Sequence, residues 1–108
     1  ADQSMKIAQE EIFGPVLTVL TFETTDELVE KANSTIYGLA AAVWTRDIAK
    51  AHRLAGELQA GTVWINAYNM LSPQSPFGGY KQSGYGRELG RHGIDLYTQV
   101  KSVWVSLA

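Results

Sequence analysis

The stretch Pro76-Phe77-Gly78-Gly79-Tyr80-Lys81-Gln82-Ser83-Gly84-Tyr85-Gly86-Arg87-Glu88-Leu89-Gly90 decides how the rest of the chain is read. It opens on a proline and holds five of the chain's ten glycines. Glycine at this density marks a backbone that turns tightly or comes very close to another group. The stretch lies between a predicted strand at 62–66 and a predicted helix starting near Arg87. Loops that leave strand ends are where α/β folds keep their chemistry. Gly84-x-Gly86 mimics the start of a dinucleotide fingerprint. That fingerprint needs its third glycine three residues later and a strand immediately before it. Here the next glycine, Gly90, comes four residues on, and the preceding strand ends near Asn66. Turning and close packing, rather than phosphate binding, are therefore expected of this loop.

Working back from the loop, residues 62–66 form a β-rich run preceded by Gly61, which stands where a helix C-cap glycine is expected. Before it, Ile48, Ala51, Ala55 and Leu58 make an apolar stripe at helical spacing with Leu54 beside it, and Thr45 or Asp47 can cap that helix. Residues 39–45 read as a strand after a Tyr37-Gly38 turn. Thr24-x-x-Glu27 is a capping box for a helix ending near Asn33 or Ser34. Asp26 and Glu27 also suit the positive end of its dipole. Residues 16–22, with Val16, Leu17, Val19, Leu20 and Phe22, read as a strand buried on both faces. Residues 1–9 have no clear period and read as an extended lead-in. Beyond the loop, residues 87–97 make a short helix on which Leu89, Gly93 and Leu96 share a face. Residues 100–105 make a last strand.

The resulting order is β-α-β-α-β-loop-α-β, an α/β unit with a largely parallel sheet. Three short helices barely cover both faces of such a sheet. The last strand, with Trp104 between valines, leaves an apolar edge. The isolated chain is expected to expose a large apolar patch or to self-associate. Trp44, Trp64 and Trp104 fall on predicted strands, where burial in a core or an interface is the default.

With 108 residues the chain fits one domain, and 45% hydrophobic content suits a globular one. The net charge of −2 offers no basic field for nucleic acid or anionic lipid, so neither is expected as a partner. No apolar run approaches a membrane span, and the polar Ala1-Asp2-Gln3-Ser4-Met5-Lys6 does not read as a signal peptide. A cytoplasmic location is expected. There are no cysteines, hence no disulfide, no cysteine metal site and no thiol nucleophile. His52 and His92 have no second ligand at i+4, so no metal site is expected.

The glycine loop resembles a signature of the NAD(P)-dependent aldehyde dehydrogenase superfamily. Glu10-Glu11-Ile12-Phe13-Gly14-Pro15-Val16 resembles a second motif of that family, Trp64-Ile65-Asn66 the strand before its substrate loop, and Tyr97-Thr98-Gln99-Val100-Lys101 its C-terminal element. The four matches keep the family's order and approximate spacing and cover the chain from about Met5 to Val105. They lie in the family's C-terminal part. The resemblance implies that residues 1–97 belong to the catalytic domain and 98–108 to an oligomerisation strand, so a homo-oligomer is expected. It implies a reaction in which a cysteine thiolate attacks an aldehyde, hydride passes to the nicotinamide of NAD or NADP, and activated water releases the acid. This chain cannot supply the thiolate, so no catalytic residue lies in the segment and the segment alone is expected to be inactive. The aldehyde and the remainder of the enzyme are the implied partners.

The resemblance also implies roles for single residues. A carboxylate has two acceptor oxygens, a match for the paired hydroxyls of a ribose. Glu11 is implied to hold the nicotinamide ribose that way, whereas Glu10 reads as surface. Phe13, a core residue on apolarity alone, is implied to lie beside the nicotinamide and exclude water. Gly14 and Pro15 serve backbone geometry. The loop 66–76 carries Tyr68, Met70 and Leu71, and apolar side chains on a loop leaving a strand can line a pocket. The resemblance makes it a wall of the aldehyde access tunnel, with Met70 in the wall and Leu71 and Phe77 closest to substrate. Family members often have an aromatic residue near Leu71, and its absence implies a roomier pocket. Lys81, Arg87 and Glu88 read as helix-end ion pairs. Two other readings remain at this point: a non-catalytic interaction module that associates through its last strand, and an unrelated enzyme using Glu10, Glu11, Glu88 or Asp95 as acid and base. No spacing brings two of those carboxylates together.

Overall fold

A computed structural model describes residues 1–108. Its elements in chain order are α1 (Lys6–Gln9), α2 (Thr25–Asn33), β1 (Tyr37–Gly38), β2 (Ala40–Val43), α3 (Ile48–Glu57), β3 (Thr62–Ile65), β4 (Tyr80–Lys81) and α4 (Gly90–Asp95).

The two principal helices start where their capping residues stand. The Thr24 hydroxyl accepts from the Glu27 N–H at 3.1 Å. The Glu27 carboxylate reaches back to accept from the Glu23 N–H at 2.7 Å, one residue before the box geometry places it, and from Lys31 Nζ at 2.6 Å. At the next helix Asp47, one of the two expected alternatives, is the cap, and Thr45 holds the turn before it. Asp47 accepts from the Lys50 N–H at 3.0 Å, and the Thr45 hydroxyl accepts from the Asp47 N–H at 3.1 Å. The Glu23 N–H, and after it Lys31, holds the Glu27 carboxyl below its ordinary value of 4.5. A lowered folded value means that this contribution to α2 is complete above 4.5 and fades as pH falls through the folded value. NMR titration of the Glu27 carboxyl carbon is expected to give a midpoint below 4.5. Glu27→Gln is expected to abolish the part of α2 helicity that acid removes in that window. A midpoint at or above 4.5 would contradict both statements.

β2 and β3 pair in parallel, from Ala40 opposite Thr62 to Val43 opposite Ile65, with α3 as the crossover. The buried apolar residues are Val43 on β2 and, on α3, Ala51 of the expected stripe and Leu54 beside it, whereas Ile48 of the expected stripe is 66% exposed. Arg53 ties the two helices, meeting Asp26 at 2.5 Å and Glu57 at 2.9 Å. β1 and β4 pair antiparallel, Tyr37 with Lys81 and Gly38 with Tyr80, which docks the glycine loop beside the turn after α2.

Several expectations are corrected. The sheet is not largely parallel: one parallel pair stands beside one antiparallel pair that the sequence reading did not contain. Residues 16–22 and 100–105 form no strand. A strand needs a neighbour to pair its peptide groups. Between 17 and 22 the carbonyls that find partners meet the N-terminal ammonium, at Val19, and Lys31 Nζ, at Thr21. The lead-in contains the short α1 rather than being extended throughout. The last helix is confined to Gly90–Asp95, because Leu89 has φ 63° and cannot continue a helix. Gly61 is not a helix C-cap, since α3 closes on an extended Leu58. Trp44 and Trp104 are 64% and 92% exposed, so of the expected core or interface burial the core is excluded for these two, and only Trp64 is half-buried.

The expected uncovered apolar surface is present. Only six residues are buried. The accessible surface is 8924 Å², against about 5,900 Å² for a folded monomer of this mass. The radius of gyration is 18.8 Å, against about 13 Å for a compact chain of similar length. No helix is long and apolar enough to cross a membrane.

Candidate functional site

The site is built outward from the C-terminal end of β3. Asn66 follows Ile65 with φ 51°, a left-handed conformation that asparagine tolerates better than most residues. Its N–H donates to the Val43 carbonyl at 2.8 Å. Its side-chain amide accepts from the Thr45 N–H and donates to the Thr45 carbonyl, both at 2.9 Å. The amide thus pairs as a peptide group would and carries the β2–β3 ladder one step past the strand, while the main chain turns away into the loop.

Trp64 holds that loop a few residues further on. Its indole Nε1–H donates to the Met70 carbonyl at 2.8 Å. Its ring meets Tyr68 edge to face, with centroids 5.4 Å apart. Asn69 supplies a second left-handed residue, φ 56°. Met70 and Leu71 leave this turn with their side chains largely exposed. The segment then returns: Gly90 N–H donates to the Pro73 carbonyl at 2.9 Å, and Phe77 and Glu88 exchange two main-chain hydrogen bonds of 2.7 Å. Phe77 is half-buried.

The Phe77–Glu88 bridge closes the glycine loop, and the loop's polar groups turn inward. Arg87 Nη1 donates to the Gly86 carbonyl at 2.6 Å and the Gly79 carbonyl at 3.0 Å, with the guanidinium 5.3 Å from the centre of the Tyr80 ring. Lys81 Nζ donates to the carbonyls of Asn33 at 2.6 Å and Thr35 at 3.1 Å, closing the C-terminus of α2. The Ser83 hydroxyl accepts from the Gly38 N–H at 3.0 Å. The expected ion pairs among Lys81, Arg87 and Glu88 do not form; the two cations bind main-chain carbonyls instead. A Cβ on Gly78 would lie 2.9 Å from both Arg87 Cδ and Nη1. The loop is thus a packed turn, as its glycine spacing implies.

Glu11 is exposed and lines, with Asn33, Thr35, Gln59 and Ser83, a cavity of about 340 Å³. Its carboxylate makes no ion pair. Phe13 is 99% exposed. It is the central residue of the first of two successive tight turns, Gly14 N–H to the Ile12 carbonyl and Val16 N–H to the Gly14 carbonyl, both at 2.8 Å, and Pro15 is the centre of the second. That supports the backbone role expected of Gly14 and Pro15. The cavity beside Glu11 includes none of Phe13, Met70, Leu71 and Phe77. Met70 and Leu71 share one loop, and Phe77 stands at its far end. Sequence reasoning missed Trp64 and Asn66 as the residues that hold the loop. The available signal was a tryptophan and an asparagine closing a β-rich run directly before a loop.

The sequence profile described as "Aldehyde dehydrogenase family" matches residues 1–103. A betaine aldehyde dehydrogenase of Bacillus subtilis is 57% identical over 103 residues, 95% of this chain and 21% of the relative. The mitochondrial aldehyde dehydrogenase of Homo sapiens is 58% identical over 103 residues, 95% of this chain and 20% of the relative. The structure of an aldehyde dehydrogenase from Bacillus cereus in complex with NAD+ superposes with a TM-score of 0.93 at 56% identity, covering 100% of this chain and 22% of that one. The chain therefore spans about a fifth of the length of the relatives it matches.

Proposed function

The chain belongs to the aldehyde dehydrogenase family, and from that premise we propose that it works as the C-terminal portion of an enzyme oxidising an aldehyde to a carboxylic acid with NAD(P)+. The observation that carries this reading is the match of all 108 residues to one fifth of an NAD+-bound dehydrogenase by a structure that leaves its own apolar surface uncovered. Residues 1–97 contribute to the catalytic domain, and 98–108, with Val103 and Trp104 exposed, contribute a contact between subunits of a homo-oligomer.

The residues present fit the cofactor. Glu11 offers a carboxylate that no cation in the chain neutralises, and its two oxygens suit the hydroxyls of the nicotinamide ribose. Phe13 offers an uncovered ring that can lie against the nicotinamide and keep water away. NAD(P)+, when bound, supplies the hydride acceptor. Met70, Leu71 and Phe77 line the approach of the aldehyde. The chain has no cysteine, so the attacking thiolate belongs to another segment of the enzyme.

The test is a chimaera in which these residues replace the matching part of the Bacillus cereus enzyme, assayed with NAD+ and NADP+. The chimaera is expected to oxidise aldehydes. Glu11→Ala within it is expected to slow single-turnover hydride transfer by about 100-fold, the scale of a misplaced reactant. A hydride step unchanged by Glu11→Ala removes Glu11 from the site.

A further inference from the structure

The geometry points to Trp64 as a positioning residue that sets aldehyde size preference: its indole N–H holds the Met70 carbonyl and so fixes where Met70 and Leu71 stand. This inference rests on the reading of the 66–76 loop as a wall of the aldehyde approach.

The loop is anchored at two points close to its start. The first is Asn66, whose side-chain amide continues the ladder onto Thr45. The second is the 2.8 Å bond from Trp64 Nε1 to the Met70 carbonyl. Between them the main chain passes through two residues of positive φ, Asn66 and Asn69, neither of them glycine. Asparagine adopts this conformation at low cost, so these residues turn the chain but need further contacts to hold the loop in one place. The side chains of this stretch provide little of that support, since Tyr68, Met70 and Leu71 are 68%, 69% and 57% exposed. The Trp64 indole remains, hydrogen-bonded to Met70 and edge-on to Tyr68, and it comes from a half-buried position on β3. A rigid strand thereby dictates the position of a wall whose side chains would otherwise sample many arrangements. Trp64 itself is not placed against substrate. Its effect is transmitted through the carbonyl of the residue that is.

Trp64→Phe removes the N–H donor and keeps an aromatic ring. In the chimaera, the KM for a bulky aldehyde such as phenylacetaldehyde is expected to rise about threefold to tenfold, the effect of one hydrogen bond. The KM for acetaldehyde, too small to reach the wall, is expected to stay within twofold, and kcat for both to stay near the parent value. Amide exchange at residues 66–71 is expected to quicken, with α3 unchanged. If Trp64→Phe does not fold, Trp64→Tyr, which also lacks the indole N–H, is read in its place. Unchanged KM for both aldehydes, or an equal fall in kcat for both, overturns the inference. Met70→Ala and Leu71→Ala separate the two levels. If they shift the bulky-aldehyde KM and Trp64→Phe does not, only the role of Trp64 fails. If neither they nor Trp64→Phe shift it, the wall reading fails as well.

Discussion

Gly61→Ala is expected to destabilise the chimaera by about 3 kcal/mol or more, the upper end of overpacking effects. The reason is space, not backbone freedom. A Cβ on Gly61 would overlap the Gly78 carbonyl oxygen and lie 2.8 Å from the Gly78 carbonyl carbon. Both obstacles are main chain, so no side chain can swing aside. The added methyl must push the glycine loop away from the start of β3. That strains the Gly38 N–H to Ser83 hydroxyl bond, which holds the loop against β1, and the 3.1 Å bond from Gly61 N–H to the Gly38 carbonyl, which ties β1 to the start of β3. Gly56→Ala is the internal control. Gly56 lies inside α3, and a Cβ there meets nothing within 4 Å. That substitution is expected to stabilise by roughly 0.5–1 kcal/mol through helix propensity. Urea denaturation of the two variants reads both effects. Equal midpoints for Gly61→Ala and the parent would show that the loop does not rest on Gly61.

The second large effect concerns the 108-residue chain by itself. It is expected to show no aldehyde oxidation with either NAD+ or NADP+, and to sediment as concentration-dependent assemblies that bind a hydrophobic dye. Its surface exceeds that of a folded monomer of its mass by roughly 3,000 Å², more than the ~1,600 Å² of a standard protein interface. The excess includes Leu17, Val19, Phe22, Val103 and Trp104, residues that in water favour any apolar partner. Chemistry fails separately, because the chain holds no thiol to attack the aldehyde. Sedimentation velocity and a coupled absorbance assay check the two halves independently. A monodisperse monomer with cooperative unfolding would refute the first half, and cofactor reduction dependent on aldehyde would refute the second.

Features whose partners lie within a few residues were legible in the sequence. Thr24 and Glu27 meet across one helical turn, Asp47 and Lys50 likewise, and Ala51 is buried on the face that its spacing predicts, although Ile48 of the same stripe is exposed. The loop from Asn66 to Gly90 was legible as a turning segment because glycine and proline carry their backbone preferences with them. Lys81 and Arg87 misled the reading. Their charges suggested ion pairs, whereas the fold presented them with carbonyls at Asn33 and Thr35, and at Gly79 and Gly86.

By itself the amino-acid sequence determined the starts of α2 and α3, the absence of a nucleophilic sulfur and the family motifs, since each depends on residue type and short spacing alone. Tertiary structure alone decided that Gly61 abuts Gly78, that Lys81 closes a helix 48 residues away, and that the apolar runs at 16–22 and 100–105 pair with nothing. Strand formation and close backbone approach require a second segment at a defined place, and no local preference of a residue specifies where that segment will be.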